Sequence, residues 1–190
     1  SSDLCEFNIS YLDPWSDKDF IERQNMLPKL ITEGEKLIKE EKSQFWKKKY
    51  AFQLLRLTFY NNEPEKFFFY YKTWFGAGKE KTTIDWWATH YYSEWVTQKA
   101  IGMKAGWWKK NRTHFPAVLQ SKSSMDKVSA KAYANYLHAM VFRNSSNKAY
   151  ISKHLYAADD FTTQLGFAKN NSEIANLYLI RHLNNPFIDL

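Results

Sequence analysis

Two residues on one predicted helix have the types and the spacing to bind a metal ion. His90 and Glu94 lie four residues apart, and side chains at this spacing share one face of an α-helix. Imidazole nitrogens and carboxylate oxygens are both ligands of Zn²⁺. Two ligands do not complete a site, and no third ligand lies nearby in the sequence. We therefore interpret them as a polar pair on a helix, and the sequence predicts no metal and no other cofactor.

Residues of catalytic type give little reason to expect an enzyme. A helical hydrolase acting on cell-wall glycan, with a lone acid such as Glu94, is one function that we consider. His154 with Asp159 and Asp160 has the residue types of a hydrolytic site, but many proteins contain such a trio. The sequence therefore predicts a protein that is not an enzyme and has no catalytic residue.

Paired tryptophans are a stronger candidate for ligand binding. Trp86-Trp87 and Trp107-Trp108 place adjacent rings about 100° apart on a helix, so one ring of a pair can face outward while the other is buried. An exposed ring beside a basic residue can stack on a sugar, a base or a peptide side chain. Alternatively, both rings are buried between helices. The predicted ligand-binding surface consists of Trp87, Tyr91, Trp95, Trp108, Lys109 and Arg112.

Composition limits the class of partner. The net charge is +7, which permits attraction to acidic polymers. The lysines are scattered along the chain rather than gathered in one run, so nucleic-acid binding is not indicated. The single cysteine, Cys5, excludes an internal disulfide framework. No apolar run approaches the length that a membrane span requires.

Helices are the elements that must position these residues. The sequence has only 6 Gly and 5 Pro, and its aromatic residues recur three and four apart, which favours long helices over strands. Residue classes also repeat: Phe67 and Trp107, and Phe75 and Phe115, are each 40 residues apart. This spacing predicts two copies of one helical hairpin.

We predict a single all-α domain over residues 1–190. Its antiparallel hairpins span about 43–75 and 83–119, and further helices span 125–143, 148–168 and 172–183. Pro28 should limit the segment capped by Asp17, and the first helix of the second hairpin should run from Ile84 to about Lys104. The first and last residues, Ser-Ser and Asp-Leu, suggest a segment of a longer protein.

The first hairpin resembles a divergent tetratricopeptide-type (TPR) repeat. The resemblance rests on residues 50–57, 59–62, 65–66 and 70–71, which place aromatic and small residues on one helix, a short polar turn, and aromatics on the next. Cys5-Glu6 and Asp13-Pro14-Trp15 precede it, as in the helical segments of large exported bacterial proteins. The resemblance implies a protein-binding α-solenoid at the periplasm or cell surface of a bacterium. Bulky Phe68 and Phe69 replace the usual small residue, so we expect the solenoid to be short and irregular.

Three functions follow from these observations, in order of preference. The first is a non-catalytic module of helical-repeat type that binds another protein or peptide, or serves as a scaffold. The second is a module that binds an acidic polymer, either a glycan or a nucleic acid, through lysines and exposed aromatics. The hydrolase is the third.

Overall fold

The structure is a computed structural model that describes residues 17–76, 81–144 and 161–184. Within these ranges the backbone is helical and contains no strand, which confirms the all-α prediction. The α-helices are α1 (Asp17–Glu40), α2 (Gln44–Tyr60), α3 (Pro64–Trp74), α4 (Thr83–Gln98), α5 (Ala105–Asn111), α6 (Ala117–Gln120), α7 (Lys127–Asn144), α8 (Phe161–Leu165) and α9 (Asn171–Asn184). None of these helices combines the length and the apolar character that crossing a bilayer requires.

Contacts within the backbone divide the chain into two compact units, Ser1–Ile84 and Asp85–Leu190. The sequence predicted one domain, and each unit is described separately below. In the first unit, α1 runs unbroken through Pro28, where the sequence predicted a limit. Leu27 and Ile31, on either side of the proline, are both buried. Because burial of these flanking turns stabilises the helix, it can offset the hydrogen bond that proline removes.

The first predicted hairpin is present. Its two helices, α2 and α3, are joined by a turn in which Asn62 has a left-handed φ of 57°, and Pro64 begins α3. Asparagine tolerates this φ, and proline suits the first position of a helix. Helix α2 packs against both α1 and α3, so its wide apolar surface is covered on two sides.

A polar contact joins α1 to α3 beside this core. The Glu35 carboxylate lies 2.9 Å from the Lys66 ammonium and accepts a hydrogen bond of 3.1 Å from the Tyr70 hydroxyl. Burial acts to raise the pKa of Glu35, but the hydrogen bonds from Lys66 and Tyr70 outweigh it and leave that pKa below its ordinary value. The carboxylate therefore stabilises the packed state in its charged form.

In the second unit, the returning half of the predicted hairpin is broken. Helix α4 ends at Gln98 rather than near Lys104. The second half of the hairpin predicted over 83–119 consists of α5, a 3₁₀ turn at Arg112–His114, and the four-residue α6. Gly102 and Gly106 interrupt the helical pattern, and Pro116 supplies no backbone donor. The last two helices of this unit, α8 and α9, both pack against α7.

Helix α7 is buried around most of its circumference, and an aspartate fixes its start. The Asp126 carboxylate accepts hydrogen bonds from the backbone N–H of Ser129, at 2.7 Å, and from the Lys122 ammonium, at 2.7 Å. Asp126 is thus the N-cap of α7. The hydrogen bond from Lys122, followed by that from the Ser129 backbone, holds the pKa of Asp126 well below its ordinary value.

Candidate functional site

The residues of the predicted aromatic surface do not share one environment. Trp95 and Trp108 are 1% and 2% exposed, so these two rings belong to the core and are not available to a ligand. Trp87, Tyr91 and Arg112 are half-buried, and Lys109 is exposed. The indole N–H of Trp108 donates to the Lys122 carbonyl at 2.9 Å. For Trp107 and Trp108, the structure corresponds to the alternative in which both rings of a pair are buried.

The buried rings fix where α4 lies relative to its neighbours in the second unit. Tyr92 meets Tyr133 of α7 edge to face at a centroid distance of 6.4 Å, and Trp95 packs on Trp107 of α5 at 5.4 Å. Aromatic pairs of this kind stabilise by about 0.5–1.5 kcal/mol beyond their buried area. The first pair joins α4 to α7, and the second joins α4 to α5.

Helix α4 also carries the polar pair singled out in the sequence, and the structure adds a third residue to this pair. His90 and Glu94 lie on successive turns of α4, and His138 reaches them from α7. His138 Nε2 is 3.3 Å from Glu94 Oε1, and the imidazole rings of His90 and His138 are 5.3 Å apart between centroids. One ligand atom from each of the three residues lies within 4.8 Å of the others. We call these three residues the His–Glu–His cluster.

The cluster is shielded from water but not closed. His90 and His138 are each 3% exposed, whereas the Glu94 side chain is 20% exposed. Trp87 and Tyr91 flank the His90 ring, with centroid distances of 5.8 Å and 6.0 Å. Among these three residues, Glu94 has the side chain with the largest exposed fraction, so solvent reaches the cluster from the Glu94 side. Such shielding strengthens electrostatic interactions inside the cluster.

Ser93 contacts the ring of His138 and the backbone carbonyl of His90. Its hydroxyl donates to the His90 carbonyl at 2.6 Å, and its oxygen lies 3.1 Å from both ring nitrogens of His138. Because the Ser93 proton is directed to His90, the Ser93 oxygen can accept an N–H from His138. A partner of this kind orients an imidazole and fixes its tautomer.

The spacing of His90 and Glu94 predicted that they share a face of α4, but sequence reasoning missed His138. His138 is 44 residues beyond Glu94, so no local spacing connects them. One signal was available: His138 lies within the apolar pattern of α7, between Leu137 and Met140, where a buried polar side chain needs a polar partner. The other trio considered, His154 with Asp159 and Asp160, lies outside the described residues.

A second candidate feature lies in the first unit, where α2 begins. Phe45 is 62% exposed and Trp46 is 48% exposed, and their rings meet edge to face at 5.3 Å. The Lys49 ammonium lies 4.6 Å from the Phe45 centroid and 4.8 Å from the Trp46 centroid. We call Phe45, Trp46 and Lys49 the Phe45–Trp46 surface.

No protein-family model, curated protein sequence or solved structure matches the chain. The resemblance to tetratricopeptide-type repeats therefore stays a prediction. Both candidate features rest on their own geometry, because no relative supplies a function for them.

Proposed function

We propose that this protein is a non-catalytic interaction module of TPR-like type that binds another protein through its first hairpin. The 40-residue sequence repeat and the α2–α3 hairpin support this proposal. The proposal includes the arrangement of the hairpins as a short, irregular solenoid. In such modules, apolar faces of neighbouring helices cover one another, and the remaining exposed surface is free to bind a partner segment.

The Phe45–Trp46 surface is the observation that carries the proposal. Large aromatic side chains are normally buried, and adjacent exposed ones mark interaction sites more often than single apolar residues do. Each ring offers area for an apolar side chain of the partner. Lys49, stacked over both rings, gives this apolar area a positive charge at its edge.

The basic residues around this surface support a partner of acidic character. From Lys42 to Asn62 the sequence has no acidic residue. Five basic residues lie in the same stretch: Lys42, Lys47, Lys48, Lys49 and Arg56. A segment that combines an apolar anchor with Asp or Glu would complement both properties, because opposite charges favour encounter and disfavour wrong partners. We therefore expect an acidic protein segment as the occupant.

A peptide selection tests this proposal. A phage-displayed random peptide library is selected against the purified chain, and the affinities of the enriched peptides are measured by fluorescence polarisation. We expect acidic peptides with an apolar anchor, bound at least about tenfold more weakly by a Phe45→Ala, Trp46→Ala double variant, since exposed aromatic anchors dominate such interfaces. Phe69→Ala is the matched control, because Phe69 is 58% exposed in the same unit and lies on α3. Peptides that bind the double variant as tightly as the wild type contradict the proposal.

The second function, binding of an acidic glycan, is favoured by the consecutive lysines Lys47, Lys48 and Lys49. Heparin serves as the probe for this function. Under this alternative, heparin binds tightly, its affinity falls steeply as salt rises, and replacement of the three lysines by glutamine abolishes it. Weak heparin binding together with tight, Trp46-dependent peptide binding excludes the alternative.

A further inference from the structure

We propose that His90, Glu94 and His138 form a binding site for a divalent transition-metal ion, with Zn²⁺ as the fitting ion. The site goes beyond the interaction function proposed above and stands whether or not the Phe45–Trp46 surface binds a partner. It rests on three side chains from two helices whose ligand atoms already converge.

Helix geometry and packing place the three ligands before any ion binds. Residues at i and i+4 are neighbours on a helix face, so His90 and Glu94 approach the same point from α4. His138 is held opposite them because α7 packs on α4 through Tyr133 and Tyr92. A ligand set fixed by packed helices loses little conformational freedom on binding, which favours affinity.

The distances are compatible with a tetrahedral ion. Zn–N and Zn–O bonds of about 2.0–2.2 Å place neighbouring ligand atoms roughly 3.3 Å apart. The His138 Nε2 to Glu94 Oε1 distance is 3.3 Å, and the ligand atoms all lie within 4.8 Å of one another. Binding of the ion requires the remaining pairs to close from at most 4.8 Å to about 3.3 Å.

The ligand types select the ion. Two imidazoles and one carboxylate suit Zn²⁺ and other first-row transition metals, whereas Ca²⁺ and Mg²⁺ require a shell of oxygens. Three protein ligands leave the fourth position of a tetrahedral ion for water. That position fits the Glu94 side of the cluster, where a fifth of the side chain reaches solvent.

The surroundings are those of a metal site rather than of a surface ion pair. Ser93 contacts the His138 ring, which orients that imidazole in the manner of an outer-shell partner. Trp87 and Tyr91 pack against the His90 ring and limit solvent access. A cluster that serves only as a buried hydrogen-bond network has the same neighbours, and the experiment distinguishes the two.

The test measures metal binding directly on the full chain. After chelator treatment, the protein is titrated with ZnCl₂ in competition with a chromophoric chelator, and with CoCl₂ while the visible absorption is recorded. We expect one Zn²⁺ per chain, Co²⁺ bands of tetrahedral intensity, and a higher melting temperature with Zn²⁺, because an ion that binds only the folded state stabilises it.

Three variants assign the binding. Glu94→Gln keeps the size of a half-buried side chain and should weaken Zn²⁺ binding by at least about tenfold, since even outer-shell changes have effects of that size. His138→Gln should do the same. His114→Gln, which removes an exposed histidine of the same unit, should bind as the wild type does. Circular dichroism identifies any variant that does not fold, and Glu94→Gln remains informative if His138→Gln fails.

Two results overturn the proposal. One is the absence of stoichiometric Zn²⁺ binding by the wild type, which leaves the cluster as a hydrogen-bond network. The other is Zn²⁺ binding that Glu94→Gln leaves unchanged or that His114→Gln removes, which assigns the ion to a different place. Failure of peptide selection at the Phe45–Trp46 surface affects neither result.

Discussion

Replacement of Gly34 by alanine tests how closely α1 and α2 approach. A Cβ atom built on Gly34 would lie 2.8 Å from Cδ2 and 3.2 Å from Cγ of Leu54. Leu54 is 1% exposed, so its side chain has no solvent-filled space into which it can move. Glycine at this position therefore permits a helix crossing that a larger residue would disturb.

The two opposing effects of this substitution can be compared in magnitude. Alanine in the interior of a helix is favoured over glycine by about 1 kcal/mol. Overpacking a dense core by one methyl group costs about 1–3 kcal/mol. The cost of overpacking against Leu54 should exceed the gain in helix propensity, so we expect Gly34→Ala to lower the free energy of unfolding by about 1 kcal/mol.

A double-mutant cycle makes the expected sign change measurable. Leu54→Ala alone should lower stability by about 2–5 kcal/mol, because it leaves a cavity in the core. In that background the clash is absent, so Gly34→Ala should now raise stability by up to about 1 kcal/mol. Urea unfolding followed by circular dichroism measures all four proteins. If Gly34→Ala stabilises the protein with Leu54 intact, α1 and α2 do not cross at this distance.

Three further predictions concern stability. Asp126→Ala should lower the free energy of unfolding by about 1 kcal/mol through loss of the α7 cap. Because the folded-state pKa of Asp126 is lowered, the contribution of this carboxylate is present above about pH 4 and is lost below it. The variant should therefore show a flatter acid-unfolding profile than a Ser124→Ala control. Glu35→Gln should lower the free energy of unfolding by about 0.5–1.5 kcal/mol at pH 7. Because the pKa of Glu35 is lowered, this contribution is lost below about pH 4.5. Urea midpoints that respond equally to acid in the wild type and in the variant would contradict this prediction. Trp108→Ala should lower the free energy of unfolding by about 3–5 kcal/mol because the ring is buried. Trp87→Ala, at a half-buried ring, should lower it less. Equal urea midpoints for the two variants would show that Trp108 is not in the core.

The first hairpin could be predicted from sequence because its signals are local. The apolar stripes of α2, the Asn61-Asn62 turn and Pro64 at the start of α3 each act within a few residues. The second hairpin was predicted less well. The first helix of the second hairpin is present as α4, but Gly102, Gly106 and Pro116 divide its second half into short helical segments. The 40-residue spacing of residue classes does not indicate where a helix is interrupted.

Local pattern also could not tell which aromatic residues are buried. By residue type alone, Trp95 and Trp108 are as able to form a binding surface as Phe45 and Trp46. In the structure, Trp95 and Trp108 are buried, whereas Phe45 and Trp46 are exposed. Whether a ring is covered depends on which helix packs on that face, and this is a property of contacts between distant segments.

What the sequence by itself determined is therefore the helical class, the α2–α3 hairpin, and the shared helix face of His90 and Glu94. These follow from backbone periodicity and turn chemistry, which operate over a few residues. Only the tertiary structure decided that His138 meets that face, because its position depends on how α7 packs against α4 through buried rings. A residue 44 positions away along the chain becomes a neighbour only when the core between the two helices is assembled.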